Sequence, residues 1–138
     1  MKQNRYFLMA IITLMPLNIS ANNKVVPAEN LPHSAKTFIE ENYKGHKILR
    51  VEKDWNSYDC FLANGTKIEF SKKGIWEEVE QNLTDAIVPK TIQNYVKDNF
   101  PNKTIKKIEK ERYGYEVELT NDVSMRFNKQ GTFIRMKD

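Results

Sequence analysis

The chain has 138 residues, with 22 Lys and Arg against 18 Asp and Glu, 40% hydrophobic residues and a single Cys. That length suits one ordinary domain or two very small ones and excludes a large multidomain enzyme, while a mean hydropathy of −0.65 excludes a multi-span membrane protein. One Cys and two His exclude an internal disulfide, a multi-Cys zinc site and a His-rich metal centre, and the net charge of +4, spread through mixed Lys and Glu, is a solvated surface rather than a nucleic-acid footprint.

Residues 1–21 read as a secretory signal peptide. Lys2 and Arg5 form its basic start, Tyr6 to Leu17 its apolar run, and Ala21 the small residue before the cut. The run is too short for a bilayer span, and no Cys follows it to carry a lipid. Export to the periplasm or beyond follows, with no stable membrane insertion after cleavage. Removing the segment takes away Lys2 and Arg5 and no acidic residue, so +4 falls to about +2. Residues 22–29 lack periodicity, hold Pro27 and read as a tether.

Beyond the tether the chain reads as a duplication at an offset of about 57 residues. Pro32 falls on Pro89, Asn42 on Asn99, Glu52-Lys53 on Glu109-Lys110, Tyr58 on Tyr115, Leu62 on Leu119, Phe70 on Phe127 and Gly74 on Gly131. Each half opens with a helix: Ala35, Phe38, Ile39 and Tyr43 recur at helical spacing, as do Ile92, Tyr95, Val96 and Phe100, behind Pro32 and Pro89. Each half then alternates with period two. Tyr58, Cys60 and Leu62 face one way, as do Tyr115, Val117 and Leu119, with turns at Asn64-Gly65 and Asn121-Asp122 and again at Gly74 and Gly131. The predicted fold is α+β: a tandem repeat of one helix plus a four-stranded antiparallel meander, residues 30–81 and 82–138, with both helices on one face of a shared sheet. A unit of about fifty residues buries too little to stand alone, so the halves are expected to join edge to edge.

These same residues resemble a known family. The Pro, the pairs Phe38-Ile39 and Tyr95-Val96, the helix-ending Tyr43 and Phe100, then Tyr58-Asp59-Cys60 and Tyr115-Glu116-Val117, Gly74 and Gly131, and Trp76 and Phe133 are similar to the PepSY-like, beta-lactamase-inhibitor-like proteins exported by Bacteroides-type bacteria. The resemblance implies a tandem helix-plus-four-strand fold and a periplasmic or secreted place. A likeness of fold to an inhibitor carries no inhibitory activity with it.

No catalytic set stands out. Cys60 lies on the helix-facing side of its strand, where its counterpart in the second half is Val117, as a core residue does; His33 opens a helix and His46 sits in the loop after it. No phosphate loop, metal-binding helix pair or nucleophile elbow occurs, so no cofactor, no metal and no enzyme activity are expected, though acidic residues are numerous enough that spacing alone leaves a carboxylate pair open. Helix-facing positions agree between the halves, whereas open-face positions differ: Phe61 against Glu118, Lys67 against Ser124, Glu69 against Arg126, Trp55 against Arg112. Trp55, Phe61, Lys67, Glu69, Arg112 and Arg126 are therefore the candidate partner-binding face, an aromatic anchor ringed by charge. Trp76 could join that anchor, but with Phe133 it reads first as a core aromatic. The expected function is an exported noncatalytic binding module for an unidentified protein or peptide, inhibitor-like in one form of the reading. A small envelope enzyme and a self-associating structural protein are the alternatives.

Overall fold

The computed structural model describes residues 23–137, and the expected signal peptide lies outside them. Nine strands follow in chain order. Strand β1 is Lys24–Val26; a short 3-10 turn at Ala28–Asn30 leads into helix α1, His33–Asn42; then come β2 (Ile48–Lys53), β3 (Ser57–Leu62), β4 (Lys67–Ser71) and β5 (Trp76–Glu80). Helix α2, Lys90–Asn99, precedes β6 (Ile105–Glu111), β7 (Gly114–Leu119), β8 (Ser124–Asn128) and β9 (Phe133–Lys137). All nine form one antiparallel sheet whose spatial order is the chain order, β1 to β9.

This corrects the expected architecture. Over the described residues the chain is not a tandem repeat of two helix-plus-four-strand meanders but a single nine-stranded sheet carrying two helices. Hydrogen bonding continues across the middle, where β5 pairs with β6 at Glu78↔Glu109, Val79↔Ile108 and Glu80↔Lys107. One apolar cluster takes residues from both helices and from β2 to β8 without a break. The ninth strand comes from the segment read as a tether: Lys24, Val25 and Val26 pair with Lys53, Glu52 and Val51.

The alternation of side chains gives the sheet two unlike faces. On one, Val51, Cys60, Ile68, Val79, Ile108, Val117 and Met125 are cross-strand partners in a single line, and all are buried. Ala35 and Ile39 of α1 and Ile92 and Val96 of α2 close over this side. Rings fix the helices in place. Phe38 meets Phe70 edge-on at 5.7 Å, and Tyr95 stacks on Phe133 at 4.6 Å while meeting Phe127 edge-on at 5.5 Å. Trp76 joins the same layer, 6.2 Å from Phe38, with the Lys110 ammonium 4.0 Å over its ring.

The helix starts are tied to turns of the sheet rather than capped by their own side chains. Pro32 and Pro89 occupy the cap positions with no side-chain hydrogen bond. Instead Ser34 Oγ donates to the Lys73 carbonyl at 2.6 Å, and Thr91 Oγ1 donates to the Gln130 carbonyl at 3.4 Å. The glycines that follow those carbonyls, Gly74 and Gly131, both have φ of +80° and pass directly beneath the helix. A Cβ on Gly74 would strike Ser34 and Pro32; one on Gly131 would strike Thr91.

Candidate functional site

Among the described residues, no helix lies on the second face of the sheet. Its side chains are set by the same register, one residue along each strand from the core line. Glu52, Asp59, Glu69, Glu78, Glu109 and Glu116 are successive cross-strand partners on β2 to β7, so six carboxylates cross the sheet in one row. Arg126 and Arg135 continue the row on β8 and β9. Neighbouring strands lie about 4.8 Å apart. Like charges at that spacing repel by about 1 kcal/mol in water and about 3 kcal/mol near a protein surface, and directly opposed like charges weaken a strand pair.

The ends of the row are neutralised and the centre is not. At one end Glu52, 4% exposed, takes Arg50 Nε at 2.7 Å and accepts from Asn23 Nδ2 at 3.2 Å. Lys67 reaches Asp59 at 3.9 Å. At the other end Glu116 holds Arg126 at 3.6 Å and Lys137 at 3.0 Å. Between them Glu69, Glu78 and Glu109 make no ion pair among the described residues. Burial, then the charges of Asp59 and Glu78, pushes the Glu69 carboxyl up to about 7. Glu109 is pushed up to about 8, first by a hydrogen bond to Glu111, then by burial and the charges of Glu111 and Glu78. Burial also raises Asp59, against the pull of Lys67.

The neighbouring row is mixed: Arg50, Phe61, Lys67, Glu80, Lys107, Glu118 and Ser124 are successive partners. Phe61 is sandwiched there, with the Arg50 guanidinium 4.3 Å and the Lys67 ammonium 5.9 Å from its ring centre.

Of the six residues singled out from the sequence, the fold brings Phe61, Lys67, Glu69 and Arg126 onto this face. Trp55 stands at the tip of the β2–β3 hairpin, 78% exposed, six residues before Phe61 and about 20 Å from it along the strand. Arg112 lies exposed in the β6–β7 turn. Trp55, Phe61 and Trp76 therefore do not form one aromatic anchor, since Trp76 belongs to the helix side. Glu52, Asp59, Glu109 and Glu116 escaped sequence reasoning because the search kept open-face positions that differ at the 57-residue offset; Glu78, which falls on Arg135, does differ and was missed because nothing local aligns β5 with β6. That offset matches Glu52 to Glu109 and Asp59 to Glu116, and this agreement was the available signal.

Elsewhere the chemistry is quiet. Cys60 is fully buried, and burial pushes its thiol up to about 12. His33 and His46 are exposed. A hollow of about 260 Å³ beside α2 is lined by Leu83, Val88, Gln93, Val96, Lys97 and Ile105, and holds neither His nor Cys. Among the described residues no three of His, Cys, Asp and Glu are placed to hold a metal ion.

A family model described as "Putative beta-lactamase-inhibitor-like, PepSY-like" matches residues 17–64 and 56–135. No curated protein matches the chain. A crystal structure of a "putative periplasmic protein" of the DUF2874 family from Bacteroides vulgatus is similar at 35% identity, with a TM-score of 0.75 over 87% of this chain and 100% of that one. A second Bacteroides vulgatus structure, titled a "putative periplasmic protein of unknown function", shares 30% identity with a TM-score of 0.77, covering 84% and 99% of the two chains. A third, titled a "putative calcium-regulated periplasmic protein" from Bacteroides thetaiotaomicron, shares 32% identity with a TM-score of 0.76 over 84% and 97%. The expected periplasmic or secreted location agrees with all three, and among the described residues no helix is long and apolar enough to cross a membrane.

Proposed function

Because the chain belongs to the PepSY-like, beta-lactamase-inhibitor-like family of periplasmic proteins, we propose that it is a noncatalytic binding module that engages a protein or peptide through its open sheet face. The observation that carries this reading is the contrast between the two faces. One is closed by two helices over an unbroken apolar line; the other holds an uncovered row of carboxylates whose middle three lack cations. A surface that keeps mutually repelling groups in register is suited to a partner that brings the missing positive charge. Phe61, held between Arg50 and Lys67, offers a flat apolar contact beside the row.

A noncatalytic role is favoured by the inert state of Cys60, which is fully buried with its thiol pushed up to about 12. The calcium regulation named for one relative does not carry over to this face. Its carboxylates are strung out one per strand about 4.8 Å apart, whereas calcium needs six or more oxygens converging at about 2.4 Å.

Capture from periplasmic extract tests the reading, using the parent, a Trp55→Ala variant and a Phe61→Ala/Glu69→Lys/Glu109→Lys variant shown by circular dichroism to be folded. A partner held by the parent and by Trp55→Ala but lost by the triple variant supports docking on the open face. Equal capture by all three, or by none, overturns it.

A further inference from the structure

We propose that the centre of the open face is a proton-responsive surface, on which Glu69 and Glu109 each take up a proton from solvent and so turn a repelling row into hydrogen-bonded carboxyl–carboxylate pairs. That this regulates docking rests on the binding reading above; the proton uptake itself stands on the geometry of the row.

The groups facing Glu69 come from three strands. Asp59 lies opposite it on β3, Glu78 opposite it on β5 with Glu77 at the adjoining bulge, and Lys67 two places back on its own strand β4. Glu109 meets Glu78 on β5 and Glu116 on β7 as direct partners, with Glu80 and Glu118 one place diagonal. Glu111 and Lys107 flank it on β6. No helix packs on this side, so these groups are the full set facing the pair among the described residues. Three of the cations are held elsewhere, Lys67 against Asp59 and Arg126 and Lys137 against Glu116, while Lys107 flanks Glu109 without an ion pair to it. Full ionisation would leave Glu69, Glu78 and Glu109 as three adjacent anions. Loss of charge on the outer two leaves neighbouring carboxylates to accept their protons: Asp59 is placed to accept the Glu69 O–H, and Glu111 and Glu78 that of Glu109.

The direction of the pH effect follows from both groups being held above their ordinary value of 4.5, at about 7 and about 8. Between 4.5 and those values the folded chain holds protons that the unfolded chain has released. The stability due to these groups is therefore fully present below 4.5 and is lost as pH rises through 7 to 8. The face is most negative, and best matched to a basic partner, at the alkaline end.

A carboxyl-carbon NMR titration of the protein tests the proposal. Midpoints for Glu69 and Glu109 near neutrality and above are expected; midpoints for both at about 4 to 5, where free carboxyls titrate, would overturn it. Thermal unfolding of a Glu69→Gln/Glu109→Gln variant supplies the second readout. Its Tm should exceed the parent's by several degrees at a pH of about 8.5, with the gain gone at a pH of about 5, and an equal difference at both would also overturn the proposal. If titration runs as expected while partner capture ignores substitutions on the face, the docking reading fails and the proton uptake stands. If capture depends on the face but both carboxyls titrate as free groups, the reverse holds.

Discussion

Gly74 and Gly131 are where single atoms decide stability. Each holds a left-handed backbone conformation and lies against the first turn of a helix, so Ala at either site combines a strained φ with a collision. Gly74→Ala should lower unfolding free energy by roughly 1–3 kcal/mol, read as a reduced urea midpoint with an unchanged slope. Both glycines were legible in the sequence as turn residues; their contact with Ser34 and Thr91 was not, because nothing local says which helix a turn will meet. Cys60 illustrates the opposite case. Its equivalence to Val117 at the 57-residue offset, on an alternating strand, already marked it as core, and it is a cross-strand partner of Val51 and Ile68 with no exposed surface. Iodoacetamide should leave Cys60 unmodified in the folded protein at neutral pH and alkylate it fully in denaturant, as mass spectrometry would register.

Among the elements, strand β1 separates what a pattern can reveal from what only assembly can. The helices and the eight longer strands announced themselves through apolar spacing and glycine turns. Lys24–Val26 is three residues long, too short for any period, and it is a strand only because β2 offers an unpaired edge. Its role is correspondingly protective. It covers the backbone of β2 beside Val51, while Asn23, just before it, donates to the buried Glu52. A chain beginning at Leu31 should have a lower Tm and, with the Ile48–Lys53 edge uncovered, should associate at high concentration; calorimetry and size-exclusion chromatography would check both. The free edge of β9 is already guarded by the exposed charges of Arg135 and Lys137.

For the molecule as a whole, the carboxylate row exists only because nine strands share one sheet. No stretch of sequence contains it. Asp59, Glu69, Glu78 and Glu109 come from four strands, and the register shift at Glu69/Phe70 in the β4–β5 pairing bears on which residues line up. Alternation could place each acid on the outer side, but only the β5–β6 pairing aligns the two halves of the row. The same pairing makes the core indivisible: Val79 and Ile108, both fully buried, are partners across the middle of the sheet. Residues 23–81 and 82–138 expressed separately should each lack cooperative unfolding, while the intact protein unfolds in one transition, as circular dichroism would record. The strict agreement between spatial and chain order has a mechanical corollary. No strand has to be threaded between two that are already paired, so a polypeptide delivered end-first through a translocation pore can lay its strands down in the order they arrive. A force applied at either terminus would undo them the same way, one hairpin at a time, like a zip opened from its end.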